Sequence, residues 1–109
     1  MSESLTRLPS QYLAKESPAA AASWKELRGA VLESGPLDDG TCELLLVTGF
    51  AFAGYEDSFK VHAKRAVAAG ISAEAVRHAV VATFGVLMSM FQVARALQWL
   101  DEIGLGHPE

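Results

Sequence analysis

The stretch TCELLLVTGFAFAGYEDSFKVHAKRAVAAG, residues 41–70, decides the fold of this chain. Its first half is almost entirely apolar and carries one charged residue, Glu43. Gly54 interrupts the pattern, and the second half has the spacing of an amphipathic helix that ends at Gly70. His62 lies on the apolar side of this second helix. The stretch therefore predicts two helices joined by a short turn, each with one polar group among apolar residues.

Helix-start and helix-stop residues divide the rest of the chain. Ser17 and Pro18 are typical of a helix start, and Gly35 of its end. Ser72 is typical of a later start, and Gly85 of a break before the final helix. No run of residues alternates with period 2 between turn signals, so no sheet is predicted. The predicted helices span about residues 18–34, 40–53, 56–69, 73–84 and 86–104. We therefore expect an all-α fold, a bundle of five to six helices.

Length and composition limit the architecture further. A chain of 109 residues allows one domain with one hydrophobic core. Half of the residues are hydrophobic, although a helical domain of this size has few fully internal positions. Some of the apolar surface is therefore expected to face other subunits in a homo-oligomer.

Charge and hydropathy exclude several classes of partner. The net charge is −4, and no stripe of Lys and Arg is present, so nucleic acid is not an expected partner. The longest stretch without a charged residue or histidine, residues 79–94, is shorter than the ~20 apolar residues that a bilayer-spanning helix needs. The N-terminus lacks the apolar core of a signal peptide. We expect a cytoplasmic protein without a membrane partner.

Glu43 and His62 each have a structural and a chemical interpretation. Glu43 either favours the dipole of a first helical turn or sits buried, where a carboxylate must be protonated or partnered. A lone histidine on an apolar face is more often a core residue than a catalyst. However, two such groups on adjacent antiparallel helices can meet. A Glu–His contact would fix the imidazole tautomer and raise its basicity, as a general base requires.

Other familiar sites are absent from the sequence. It contains no HExxH, CxxC, phosphate-binding loop or dinucleotide fingerprint. His62, His78 and His107 do not have metal-ligand spacing, and neither a metal nor a cofactor is predicted. Cys42 is the single cysteine, which excludes an intrachain disulfide and a dithiol redox pair.

The motif residues resemble the carboxymuconolactone decarboxylase family, which includes alkylhydroperoxidase D-like proteins. In the family pattern a Glu–Leu pair opens an apolar helix, and a second helix reads xFxxHxxxAxxxG. Here these are Glu43-Leu44, followed by Phe59, His62, Ala66 and Gly70. SAEAVRHAV, from Ser72, and FGVLMSMFQVARAL, from Phe84, resemble the family's last two helices. The likeness covers about Leu37–Glu102. It implies an alkylhydroperoxidase D-like core at residues 37–104 that follows an N-terminal helical extension at residues 1–36.

The sequence departs from both branches of the family. The redox branch carries C-x-x-C-x-x-x-H, and counting back from His62 puts Tyr55 and Ser58 where the cysteines would be. The same count places Glu43 at the family's glutamate. Dithiol peroxidase chemistry is therefore disfavoured, and Cys42, inside the apolar helix, is interpreted as packing. The decarboxylase branch usually has an acid at the position of Ser58 and a second Glu near His78.

The resemblance implies acid–base, lyase-type chemistry on a small carboxylated molecule, with Glu43 and His62 as the catalytic pair. Such chemistry must protonate the carbanion or enolate that decarboxylation leaves. The expected substrate-binding residues are hydrogen-bond donors on the turn and helix start and two cations: Tyr55, Ser58, Arg65 and Arg95.

Three further expectations stay open at this stage. His78 either joins the site or, as we favour, pairs with Glu74 one helical turn earlier. The resemblance implies assembly into homotrimers or homohexamers. The alternative function is a non-catalytic oligomeric or ligand-binding protein with the same fold. A Glu43–His62 contact in a cavity open to solvent would favour the enzyme.

Overall fold

The computed structural model describes residues 8–108, so the first seven residues of the expected N-terminal extension lie outside this range. Residues 8–108 contain no β-strand, apart from one isolated bridge between Phe84 and Met88. The predicted all-α fold is confirmed. The six helices are α1 (Pro9–Glu16), α2 (Pro18–Glu33), α3 (Asp39–Ala53), α4 (Glu56–Ala68), α5 (Ala73–Val81) and α6 (Met90–Glu102).

Side-chain caps set the starts of α2, α3 and α5. The Ser17 and Ser72 hydroxyls accept hydrogen bonds from backbone N–H groups at the starts of α2 and α5. The Asp38 carboxylate accepts the Thr41 N–H at 2.8 Å at the start of α3. This backbone hydrogen bond lowers the pKa of Asp38. Gly54 ends α3 with a φ of 81°, a left-handed conformation that favours glycine.

The hydrophobic core lies among α3, α4, α5 and α6. Phe59 of α4 is fully buried, and its ring centroid lies 5.4 Å from that of Trp99 on α6. The other fully buried large side chains are Val47, Val76, Val80 and Leu100. This core holds the α3–α4 hairpin, which carries Glu43 and His62, against the last two helices.

An ion-pair group links α4 to α6 at the surface. The Lys60 ammonium lies 2.7 Å from a carboxylate oxygen of Glu56 and 2.7 Å from one of Glu102. Burial opposes the Lys60 charge, but hydrogen bonds to the two carboxylates and their charges outweigh it and raise the Lys60 pKa. The hydrogen bond from Lys60 correspondingly lowers the pKa of Glu102.

The first two helices contribute nothing to this core. Neither α1 nor α2 contains a buried residue. The helically spaced residues Trp24, Leu27 and Val31 on α2 are each close to half exposed or more. The two helices pack on each other and form one wall of a cavity.

Residues 82–89 differ from the predicted helices. Helix α5 ends at Val81, and α6 begins at Met90 rather than at residue 86. Gly85 has a φ of 87° and donates its N–H to the Met88 carbonyl, so the chain turns here instead of continuing as a helix. Ser89 then caps α6 through the Gln92 N–H. Among the described residues, no helix is long and apolar enough to cross a bilayer.

Candidate active site

Glu43 and His62 meet where α3 and α4 pack together. His62 Nδ1 lies 2.6 Å from Glu43 Oε1, and both side chains are mostly but not fully buried. An ionised carboxylate only accepts hydrogen bonds, so Nδ1 is the nitrogen that carries the hydrogen. The contact that the sequence spacing suggested is therefore present, and it fixes which imidazole nitrogen remains available.

The other imidazole nitrogen, Nε2, is open to solvent. It has no hydrogen-bond partner among the described residues, and no buried side-chain nitrogen or oxygen there is left unpaired. Nε2 is therefore accessible rather than sealed in the core. The ring of Phe50 packs beside the imidazole, with the ring centroids 5.2 Å apart. Glu43 and Phe50 together hold His62 in one orientation.

The pair forms part of the wall of a cavity of about 570 Å³. This volume falls within the range of about 300–1,000 Å³ that is typical of small-molecule sites. Helices α3 and α4 supply one wall, which includes Leu46 and Phe50, and the N-terminal helices supply the other, which includes Trp24. A second cavity, of about 420 Å³, shares Glu43 and Arg65 with the first and is also lined by Cys42.

The charges around the larger cavity are predominantly positive. Its lining includes three permanent cations, Lys25, Arg28 and Arg65, and one carboxylate, Glu43. None of these three cations forms an ion pair with another residue in the range 8–108. This concentration of positive charge contrasts with the net charge of −4 for the whole chain. The cavity is electrostatically suited to an anion.

The two arginines expected to bind substrate lie in different places. Arg65 lines the cavity together with Glu43 and His62. Arg95 does not line it. Its guanidinium donates to the Ala51 carbonyl at 3.2 Å, near the end of α3, and lies 5.0 Å from the centre of the Trp99 ring. Arg95 thus contacts a helix end and an aromatic face, and its expected part in substrate binding stays a prediction.

Tyr55 and Ser58 line a third cavity, of about 490 Å³, rather than the one that holds the Glu–His pair. Tyr55 contacts the site only indirectly, because its ring packs on Phe50 with the centroids 6.2 Å apart. The Ser58 hydroxyl makes no hydrogen bond with another described residue, and Ser58 is buried. The structure therefore separates these two residues from the cavity that Arg65 shares with Glu43 and His62.

Neither His78 nor Cys42 lines the cavity that contains both Glu43 and His62. His78 is exposed on α5, and within the described part of the chain it forms no ion pair with Glu74. The expected pairing of His78 with Glu74 is therefore not observed, whereas the expected surface position of His78 is. Cys42 is half-buried, and its thiol lies 3.9 Å from the Leu37 carbonyl. No group of three possible metal ligands occurs among residues 8–108.

Sequence reasoning missed the residues that α2 contributes. Lys25 and Arg28 are three residues apart and Leu32 is four further on, so the three share one helix face. That spacing was a usable signal, but it does not distinguish a solvated helix face from a cavity wall. Only the tertiary structure, in which α2 and the α3–α4 hairpin line the same cavity, gives these cations a common location with His62.

The comparisons with known proteins identify a family but no individual relative. No curated protein and no solved structure matches the chain. The model of the carboxymuconolactone decarboxylase family matches residues 18–102, so the match begins at α2 rather than near Leu37. Since this match covers most of the sequence, the chain belongs to the carboxymuconolactone decarboxylase family.

Proposed function

We propose that this protein is an enzyme that performs acid–base, lyase-type chemistry on a small carboxylated molecule. The observation that carries the proposal is the 2.6 Å contact between His62 Nδ1 and Glu43 Oε1 at the wall of a solvent-accessible cavity. In this arrangement Nε2 of His62 exchanges a proton with the substrate. Glu43 selects the tautomer and stabilises the imidazolium whenever the ring is charged.

A decarboxylation illustrates what the pair would do. The bond between the carboxylate carbon and the neighbouring carbon breaks, CO₂ leaves, and the electron pair moves onto an adjacent carbonyl as an enolate. The negative charge of the carboxylate becomes that of the enolate, so the cationic side chain of Arg65 is favourable throughout. The imidazolium of His62 then delivers a proton to carbon. The ring regains its proton from water, and the net reaction consumes one proton.

The cysteine content supports this chemistry over the redox chemistry of the family. The chain has one cysteine, and Tyr55 and Ser58 stand where the redox pattern has thiols. A peroxide-reducing dithiol cycle needs an attacking and a resolving thiol, so it cannot operate within this chain.

Replacement of His62 tests the proposal. In His62→Ala, turnover should fall by about 10²–10⁴-fold, the usual contribution of a positioned acid–base group. Helix content measured by circular dichroism should stay unchanged, because His62 is not part of the core cluster. Carboxymuconolactone is the first substrate to test, followed by a panel of small oxo acids, with CO₂ release as the measurement.

His78→Ala is the matched control because this histidine is exposed and lies outside the cavity. The control should release CO₂ at the wild-type rate. Turnover by His62→Ala equal to that of His78→Ala would contradict the acid–base role. Absence of CO₂ release from every compound in the wild-type protein would favour the non-catalytic alternative instead.

We also propose that the protein assembles with copies of itself. The segment from Val81 to Phe91 presents large apolar side chains to solvent, with Val86 88% and Phe91 78% exposed. Several large apolar side chains exposed within one short segment are typical of an interaction site. Sedimentation analysis of the full chain should therefore show a species larger than a monomer, and Val86→Asp should shift it towards the monomer.

A further inference from the structure

The cavity next to His62 has an apolar interior as well as positive charge. Trp24 on α2 and Phe50 on α3 both line it, and Leu46 extends the apolar wall on the α3 side. The Trp24 side chain is about half exposed. The space between these helices therefore offers aromatic and aliphatic surface that a purely polar metabolite would leave unused.

The two cations of α2 lie on a different helix from Glu43 and His62. Lys25 and Arg28 come from α2, whereas Glu43 and His62 come from α3 and α4. Arg28 is half-buried, although α2 contains no fully buried residue. Part of the aliphatic stem of Arg28 therefore lies against the cavity rather than in solvent. The α2 wall thus combines an aromatic ring with two cations within five residues of sequence.

We propose that the ligand of this cavity is a carboxylate with a flat apolar body, such as an aromatic ring. Its anionic group is recognised by Lys25 and Arg28, and its body packs on Trp24 and Phe50. This inference rests on the proposed function for the identity of the site, and it makes α2 the element that selects the substrate. Arginine and lysine supply charge-assisted hydrogen bonds to the carboxylate, and the rings supply apolar contact area.

Equilibrium binding tests the inference without requiring turnover. We would titrate the full chain by calorimetry with 2-naphthoate, with 2-naphthalenemethanol, which lacks the charge, and with succinate, which lacks the apolar body. Naphthoate should bind at least about tenfold more tightly than either, because each of the others loses one class of contact. Equal affinity for naphthoate and the alcohol, or no naphthoate binding, would overturn the proposal.

A pair of double variants locates the charge recognition. Lys25→Gln/Arg28→Gln should weaken naphthoate binding by at least about tenfold and leave binding of the alcohol unchanged. Lys15→Gln/Lys64→Gln removes the same two charges from positions that line none of the three cavities, and it should leave both affinities unchanged. Equal losses in the two double variants would show that net charge, not α2, attracts the ligand, and would refute the assignment.

The same titration in His62→Ala separates this inference from the proposed function. Retained naphthoate binding, together with absence of CO₂ release from the wild-type protein, would uphold the ligand class and reject the enzyme. Measurable CO₂ release in a protein that does not bind naphthoate would uphold the enzyme and reject the ligand class.

Discussion

Replacement of Glu43 by glutamine removes a charge from the candidate site while keeping its shape. In the wild-type protein the carboxylate oxygen accepts from His62 Nδ1 at 2.6 Å. The amide oxygen of the glutamine can accept the same hydrogen bond. The negative charge that stabilises an imidazolium is lost, however, so only the charged form of His62 should be affected.

The size of the effect follows from the exposure of the pair. The side chain of His62 is 14% exposed and that of Glu43 is 21% exposed. Fully exposed ion pairs contribute about 0–1 kcal/mol, whereas hydrogen bonds to charged groups contribute about 1.5–3 kcal/mol. Since this pair is largely shielded from water, we expect a loss near the second range. At about 1.36 kcal/mol per tenfold change in rate, kcat should fall by about 10- to 150-fold.

The assay combines turnover with a direct view of the imidazole. CO₂ release would be measured for wild type, Glu43→Gln and the control Glu74→Gln, which removes one carboxylate from an exposed position on α5. Nitrogen chemical shifts of His62, recorded by NMR, would report which ring nitrogen is protonated in each protein. Glu74→Gln should match wild type in both measurements.

Two results would refute this reasoning. Wild-type kcat in Glu43→Gln, with the Nδ1 proton still in place, would show that the carboxylate charge does not assist the reaction. A loss as large as that of His62→Ala would show that Glu43 transfers the proton itself rather than positioning the imidazole. An unchanged nitrogen spectrum combined with an intermediate loss of kcat is the expected result.

Two predictions concern stability. Phe59→Ala leaves a cavity beside Trp99 and should lower the free energy of unfolding, measured by urea titration, by about 3–5 kcal/mol. The control Phe52→Ala, at an exposed position, should change this free energy by less than about 0.5 kcal/mol. The pKa of Glu102 is lower in the folded chain than its ordinary value of 4.5, so its pairing with Lys60 stabilises the protein above pH 4.5 and is lost as the pH falls through the folded pKa. The difference in unfolding free energy between wild type and Glu102→Gln should therefore shrink below pH 4.5, and a difference that stays constant down to acid pH would contradict this linkage.

The sequence was sufficient wherever local chemistry determines the backbone. Ser17, Asp38 and Ser72 cap helices in the structure, and Gly54 and Gly70 take the left-handed conformation that follows a helix. The helix starts at Ser17 and Ser72 and the helix ends at Gly54 and Gly70 were therefore predictable. The meeting of Glu43 and His62 was also within reach, because a short turn forces the two helices to fold back on each other.

The sequence was insufficient where position depends on packing or on weak local signals. Helix α1 begins after Leu8, which has no polar side chain to act as a cap, so its start signal was limited to Pro9 and Gln11. The start of α6 carried a capping signal, because Ser89 and Gln92 have the spacing of a capping box. The apolar residues around them, however, resembled a continuous helix. Arg95 and Arg65 look alike in sequence, and only the tertiary structure places one at a helix end and the other in the cavity.

Because α2 contains no buried residue, its side chains can change the lining of the cavity without changing the packing of the core. Side chains in a core must fit their neighbours, so a substitution that alters recognition there generally costs folding free energy. The wall that carries Trp24, Lys25 and Arg28 bears no part of the core, and substitutions at such positions usually change stability by less than about 0.5 kcal/mol. Substitutions on this one helix can therefore alter the lining of the cavity while the α3–α4 hairpin that holds Glu43 and His62 keeps its packing.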